Sequence, residues 1–142
     1  MAGIVYIETS IVSYLTALPA RDLVAAAWQN ATSRWWETQR GRFELFTSQL
    51  TVGEAARGHP DAAKRRLAAL AGIPHLSMPE AVTDLAVALL AEGALPRKAT
   101  DDAVHVAVSA YHNVDYLLTW NCRHIDNAEM KPLMRSICAV QG

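Results

Sequence analysis

The run Ile4-Val5-Tyr6-Ile7 stops abruptly at a charge, Glu8. A segment this short, apolar and β-branched has the composition of a strand buried on both faces. Similar short runs recur at 43–47, 75–78, 115–119 and 136–140, and stretches with helical spacing separate them. Strands alternating with helices predict a mainly parallel sheet covered on both faces. The 142 residues suffice for one domain, residues 1–142, with a substantial core but not for two.

The expected helices follow from their punctuation. Thr9 or Ser10 caps a short helix through Leu18, which Pro19 stops. Asp22 caps a long one that ends before Gly41, with Leu23, Ala26, Ala27, Ala31 and Trp35 on its inner face. Trp35 and Trp36 are adjacent, so one of them packs and the other faces a surface. Ser48 opens a helix carrying Leu50, Glu54 and Arg57. Asp61 opens the next, whose Lys64-Arg65-Arg66 stripe leads to Leu67 and Leu70. A helix over 79–92 has Pro79 in its first turn and Gly93 beyond its end. Residues 101–112 are nearly all apolar and predict a buried helix, and a short helix near 127–135 precedes the last strand.

A formal net charge of −1 gives no global positive field, so contact with nucleic acid would rely on local basic patches. Cys122 and Cys138 form no metal or disulfide motif, which suits a reducing cytosol. With no basic leader and no long apolar span, the expectation is a soluble, cytoplasmic protein without a membrane partner.

Function enters with the acids. Asp101 and Asp102 open an otherwise apolar stretch, a costly place for charge unless a cation is present. Ligands of open α/β sheets bind beyond the carboxyl ends of the strands. Glu8 and Asn121 fall at such ends, and Glu54 and Asp102 lie on helices able to face the same crevice. Magnesium or manganese takes hard oxygen ligands of this kind. Such an ion lowers the pKa of bound water and polarises phosphoryl oxygens, so the expected chemistry is phosphodiester hydrolysis.

Four segments in order, Ile4-Val5-Tyr6-Ile7-Glu8-Thr9-Ser10, Ser48–Gly58, Asp102-Ala103-Val104-His105-Val106-Ala107 and Tyr116-Leu117-Leu118-Thr119-Trp120-Asn121, together resemble a PIN domain, and among these the VapC-like toxins. The resemblance implies a three-layer α/β/α sandwich and an Mg2+- or Mn2+-dependent endoribonuclease acting on RNA. It carries over Glu8, Glu54 and Asp102 as metal-holding acids and Asn121 as the fourth site residue. Thr9, Ser10 and Thr119 match the family's accessory hydroxyls, and Asp101 is a further accessory candidate. A cognate antitoxin and a homodimer are also implied. Glu8 stands where an Asp is usual and Asn121 where an acid is expected, which points to one firmly bound metal rather than two.

Plainer readings stand beside these. Asp101 and Asp102 also suit the first turn of a helix, Glu54 suits a solvated helix face, and His105 suits a core or supporting role near Asp102. Arg123, His124, Arg97 and Lys98 are candidates for RNA phosphates or for solvated surface. The alternative function is a PIN-like fold with a weakened site that binds RNA or protein. Another α/β phosphoryl-transfer protein is the remaining rival, disfavoured by a Glu where a nucleophilic Asp would stand.

Overall fold

A computed structural model describes residues 2–125 together with Lys131, Met134 and Cys138. Strands β1 (Gly3–Ile7), β2 (Phe43–Phe46) and β3 (Tyr116–Leu118) form a parallel sheet in the order β2-β1-β3. The helices are α1 (Thr9–Thr16), α2 (Leu23–Thr38), α3 (Gln49–Ala55), α4 (Pro60–Leu70), α5 (Glu80–Ala91) and α6 (Thr100–Tyr111). The chain is thus α/β, as the alternation predicts, and compatible with three layers.

β1 is central because its side chains are apolar on both faces. Val5 and Ile7 point to one core, with Ile11, Val12, Ala55, Leu70 and Ile73. Tyr6 points to the other, with Val82, Leu85 and Leu89 of α5 and Ala103, Ala107 and Val108 of α6. Each large aliphatic side chain removed from water contributes roughly 1.5–3 kcal/mol before entropy is counted. The small residues of α6 let it lie close to α5. Gly3 has a packing reason of its own: a Cβ there would come 3.3 Å from the Tyr116 ring and 3.4 Å from Phe43.

Register is pinned at both ends of β1. Asp115 accepts from Ile4 N at 2.7 Å and returns its own N–H to Ile4 O at 2.9 Å. Glu8 N donates to Leu118 O at 3.2 Å, extending the β1–β3 pairing by one residue and delivering Glu8 to the strand end.

Several expectations need correction. Neither Thr9 nor Ser10 caps α1; Glu8 occupies that position, because both hydroxyls are engaged by carboxylates. α1 ends at Thr16, short of Leu18. Asp22 does cap α2, accepting from Ala25 N at 2.8 Å, but the buried side of that helix is rotated. Leu23 is 86% exposed, Ala27 and Ala31 are exposed, and Trp28, Thr32 and Trp35 turn inward. Trp28 stacks on Trp120 with centroids 4.7 Å apart, and Trp120 Nε1 donates to Thr32 Oγ1 at 2.7 Å. Aromatic area and a hydrogen bond outweigh two alanines in choosing the face. Trp35 and Trp36 both pack partly into the core, with Arg40 lying 4.3 Å over the Trp36 ring.

His59, not Asp61, caps α4. The strand expected at 75–78 reduces to a single bridge between Thr47 and His75. The helix near 127–135 and the strand at 136–140 fall largely outside the described residues; Lys131 and Met134 are helical, and so is Cys138, which the expected strand included. Among the described residues no helix is long and apolar enough to cross a membrane.

Candidate metal centre

β1 ends at Glu8, and α3 starts beside that end. Ser48 caps α3 by accepting from Thr51 N at 3.3 Å. The hydroxyls of Thr47 and Thr51 both donate to Ile7 O, at 3.2 and 3.3 Å. Those bonds clamp α3 to the strand end, and Glu54, one turn after Thr51, faces the same place.

Glu8 and Glu54 are each held at one oxygen. Glu8 Oε1 accepts from Ser10 Oγ at 2.5 Å and from Thr119 Oγ1 at 2.7 Å. Both donors are themselves fixed, since Ser10 accepts from Trp120 N at 2.8 Å and Thr119 from Asn121 N at 2.9 Å. Glu54 Oε1 accepts from Thr9 Oγ1 and, at 2.6 Å, from His105 Nε2. Among the described residues no donor meets Oε2 of either glutamate. Burial would raise the pKa of Glu54, but hydrogen bonds from His105 and Thr9, with the charges of His105 and Arg57, hold it below the ordinary 4.5.

His105 is completely buried and closes on Tyr6, whose hydroxyl lies 2.7 Å from Nδ1. Tyr6 also meets Ser48 Oγ at 2.7 Å and Thr51 Oγ1 at 3.2 Å. Burial is the main reason its pKa rises to about 12; the Ser48 and Thr51 bonds oppose that rise, and the charges of Glu8 and Glu54 add to it. The phenol therefore keeps its proton, and with Ser48 and Thr51 it supports the ring that orients Glu54.

The third acid is arranged differently. Asp102 Oδ2 is 2.7 Å from His124 Nδ1, and Asn121 Oδ1 accepts from His124 N at 3.0 Å. Asp102 lies one turn before His105 on α6, so it shares the helix side that meets Glu54. Asp101 turns to Arg57 at 3.7 Å, an exposed pair worth little. Lys64-Arg65-Arg66 proves mainly structural: Arg65 Nε donates to Thr16 O at 2.9 Å and Arg66 Nε to Ala55 O at 3.0 Å, while Lys64 is exposed.

The ligand atoms of Glu8, Glu54 and His105 all lie within 4.8 Å of one another. Both ring nitrogens of His105 are occupied, so it serves as a support for Glu54, a common arrangement behind metal ligands. Two carboxylates this close repel unless a cation joins them. Their oxygens suit Mg2+ or Mn2+; Asp102, paired with His124, is not among the residues that converge there. Glu8 at the start of α1 and Asp102 in the first turn of α6 also meet positive helix ends, each worth about 0.3–1 kcal/mol.

Of the eight residues expected at the site, Glu8, Glu54, Thr9, Ser10 and Thr119 come together, whereas Asp102 and Asn121 meet at His124 and Asp101 pairs with Arg57. Sequence reasoning did not anticipate Tyr6, Ser48 and Thr51 as a buried polar support. The available signal was a phenol inside an aliphatic strand followed by hydroxyls opening a buried helix. Comparison with protein-family models, curated proteins and solved structures finds no match to this chain.

Proposed function

We propose that this protein is a metal-dependent endoribonuclease of PIN type, with a three-layer α/β/α fold. The supporting observation is that Glu8 and Glu54 converge with one oxygen of each fixed by two donors. Glu8, Glu54 and Asp102 would hold one Mg2+ or Mn2+ ion. When bound, the ion supplies an activated water and charge neutralisation at an RNA phosphate. The chain's own part is to keep the acids aligned: Thr9 and His105 orient Glu54, Ser10 and Thr119 orient Glu8, and Tyr6 braces His105.

The reading extends to a VapC-like toxin working in the cytoplasm as a homodimer, restrained by an antitoxin that covers the acidic cleft. Incubation of purified protein with mixed RNA under Mg2+ or Mn2+ tests the nuclease, with EDTA and Glu54→Gln as controls. Ion-dependent cleavage lost in the variant is the expected result. A folded, antitoxin-free sample that cleaves nothing with either ion refutes it and favours the binding module.

A further inference from the structure

His124 is shared between the acids and a second feature. One ring nitrogen is fixed by Asp102, and its backbone N–H by Asn121. The same residue lines a cavity of about 610 Å³ between the end of α5, the loop before α6 and the turn after β3. The cavity has an apolar part, formed by Leu90, Ala94, Leu95 and Pro96, and a basic part, formed by Arg97, Arg123 and His124. Arg97 and Arg123 are exposed and His124 is half-buried.

Three nitrogen-bearing side chains thus line a space that one of them, His124, joins to the carboxylate of Asp102. A polyanion approaching Asp102 meets repulsion, and the guanidinium groups that line the cavity offset it. The size lies within the roughly 300–1,000 Å³ range of small-ligand pockets, and apolar area beside cations suits a sugar and base next to a phosphate.

We propose that this cavity seats a nucleotide of single-stranded RNA flanking the cleaved phosphate, with its own phosphate against Arg97, Arg123 and His124. Asp102 and Asn121 then act as positioning residues for His124. The inference rests on the ribonuclease reading for its substrate class.

The test separates binding from chemistry by measuring anisotropy of a fluorescent single-stranded RNA oligonucleotide in EDTA across a salt series. Arg97→Glu lowers affinity at least tenfold, and Arg97→Ala reduces the salt slope by about 0.7 per phosphate contact. Arg97→Lys restores most of the binding, His124→Ala weakens it, and Lys64→Glu leaves it unchanged. Circular dichroism melts check that each variant is folded. Wild-type affinity and slope in both folded Arg97→Glu and His124→Ala overturn the cavity proposal, even if the wild type cleaves RNA. Binding that depends on Arg97 in a protein that cleaves nothing upholds the cavity as a single-stranded RNA site but refutes the nuclease, and with it the placement beside a cleaved phosphate. A wild type that neither binds nor cleaves overturns both.

Discussion

Glu8 and Glu54 are gripped by donors from α1, α6 and the residue after β3, whereas Asp102 is joined to His124 through a single imidazole in a turn. The first half contains the buried residues Tyr6, Ser48, Thr51 and His105, so moving one group unsettles several. The second half is partly open, and Asp102 is tied to the turn by its bond to His124, whose N–H is held by Asn121. Buried polar networks hold position strongly and are costly when broken. A turn near the surface can adjust at lower cost, which on the proposed reading suits a contact with variable RNA.

The largest expected effect is loss of chemistry from the buried half. Glu54→Gln and Glu8→Gln each reduce RNA cleavage by more than the about 100-fold typical for losing an outer hydrogen-bond partner of a metal ligand. Isothermal titration with Mn2+ should show weakened binding in both. Unaltered Mn2+ affinity in either folded variant removes that glutamate from the ion.

Next come the supports, where the halves should part company. His105→Ala leaves Tyr6 and Glu54 short of a partner and opens a void, costing about 2–5 kcal/mol in urea unfolding. His124→Ala, at a half-exposed position, costs under about 1 kcal/mol yet impairs RNA binding. Equal destabilisation by the two would erase the contrast.

A smaller effect concerns pH, read from urea midpoints in EDTA. Glu54 has its folded pKa below the ordinary 4.5, so the unfolded chain protonates first as pH falls. Its stabilising contribution is complete above that value and disappears as pH falls through the lower folded pKa. Tyr6 shifts the other way, from 10.0 to about 12. Its contribution is complete below 10.0 and is lost as pH rises through about 12. Glu54→Gln should flatten the acid limb and Tyr6→Phe the alkaline limb; unchanged limbs would show that other groups govern them.

The comparison also explains what the sequence could reveal. β1 and α6 were legible because their apolar patterns are strong and local, and Glu8 was legible because a charge closes an apolar strand. The inward face of α2 was not, since it depends on Trp28 meeting Trp120 across 92 residues of chain. The strand expected at 75–78 shrinks to one bridge because, among the described residues, Thr47 alone pairs with it in parallel fashion. Asp102 and Asn121 were found as polar positions, but their link through His124 is a fact of tertiary geometry that spacing does not encode.

Asn121 gives the smallest predicted effect and the sharpest division between two roles. If it serves chiefly as an acceptor for His124 N, Asn121→Asp keeps an acceptor oxygen and changes stability by less than about 0.5 kcal/mol. Asn121→Ala removes the acceptor and costs about 1 kcal/mol, as loss of a comparable cap does. RNA binding in EDTA should follow the same order, with the Asp variant near wild type and the Ala variant weaker, because the turn carries His124. An acid at this position that instead raises Mn2+ affinity about tenfold or more, by at least 1.4 kcal/mol, would move Asn121 from the turn to the ion. The boundary between the rigid and adjustable halves would then run after Asn121 rather than before it.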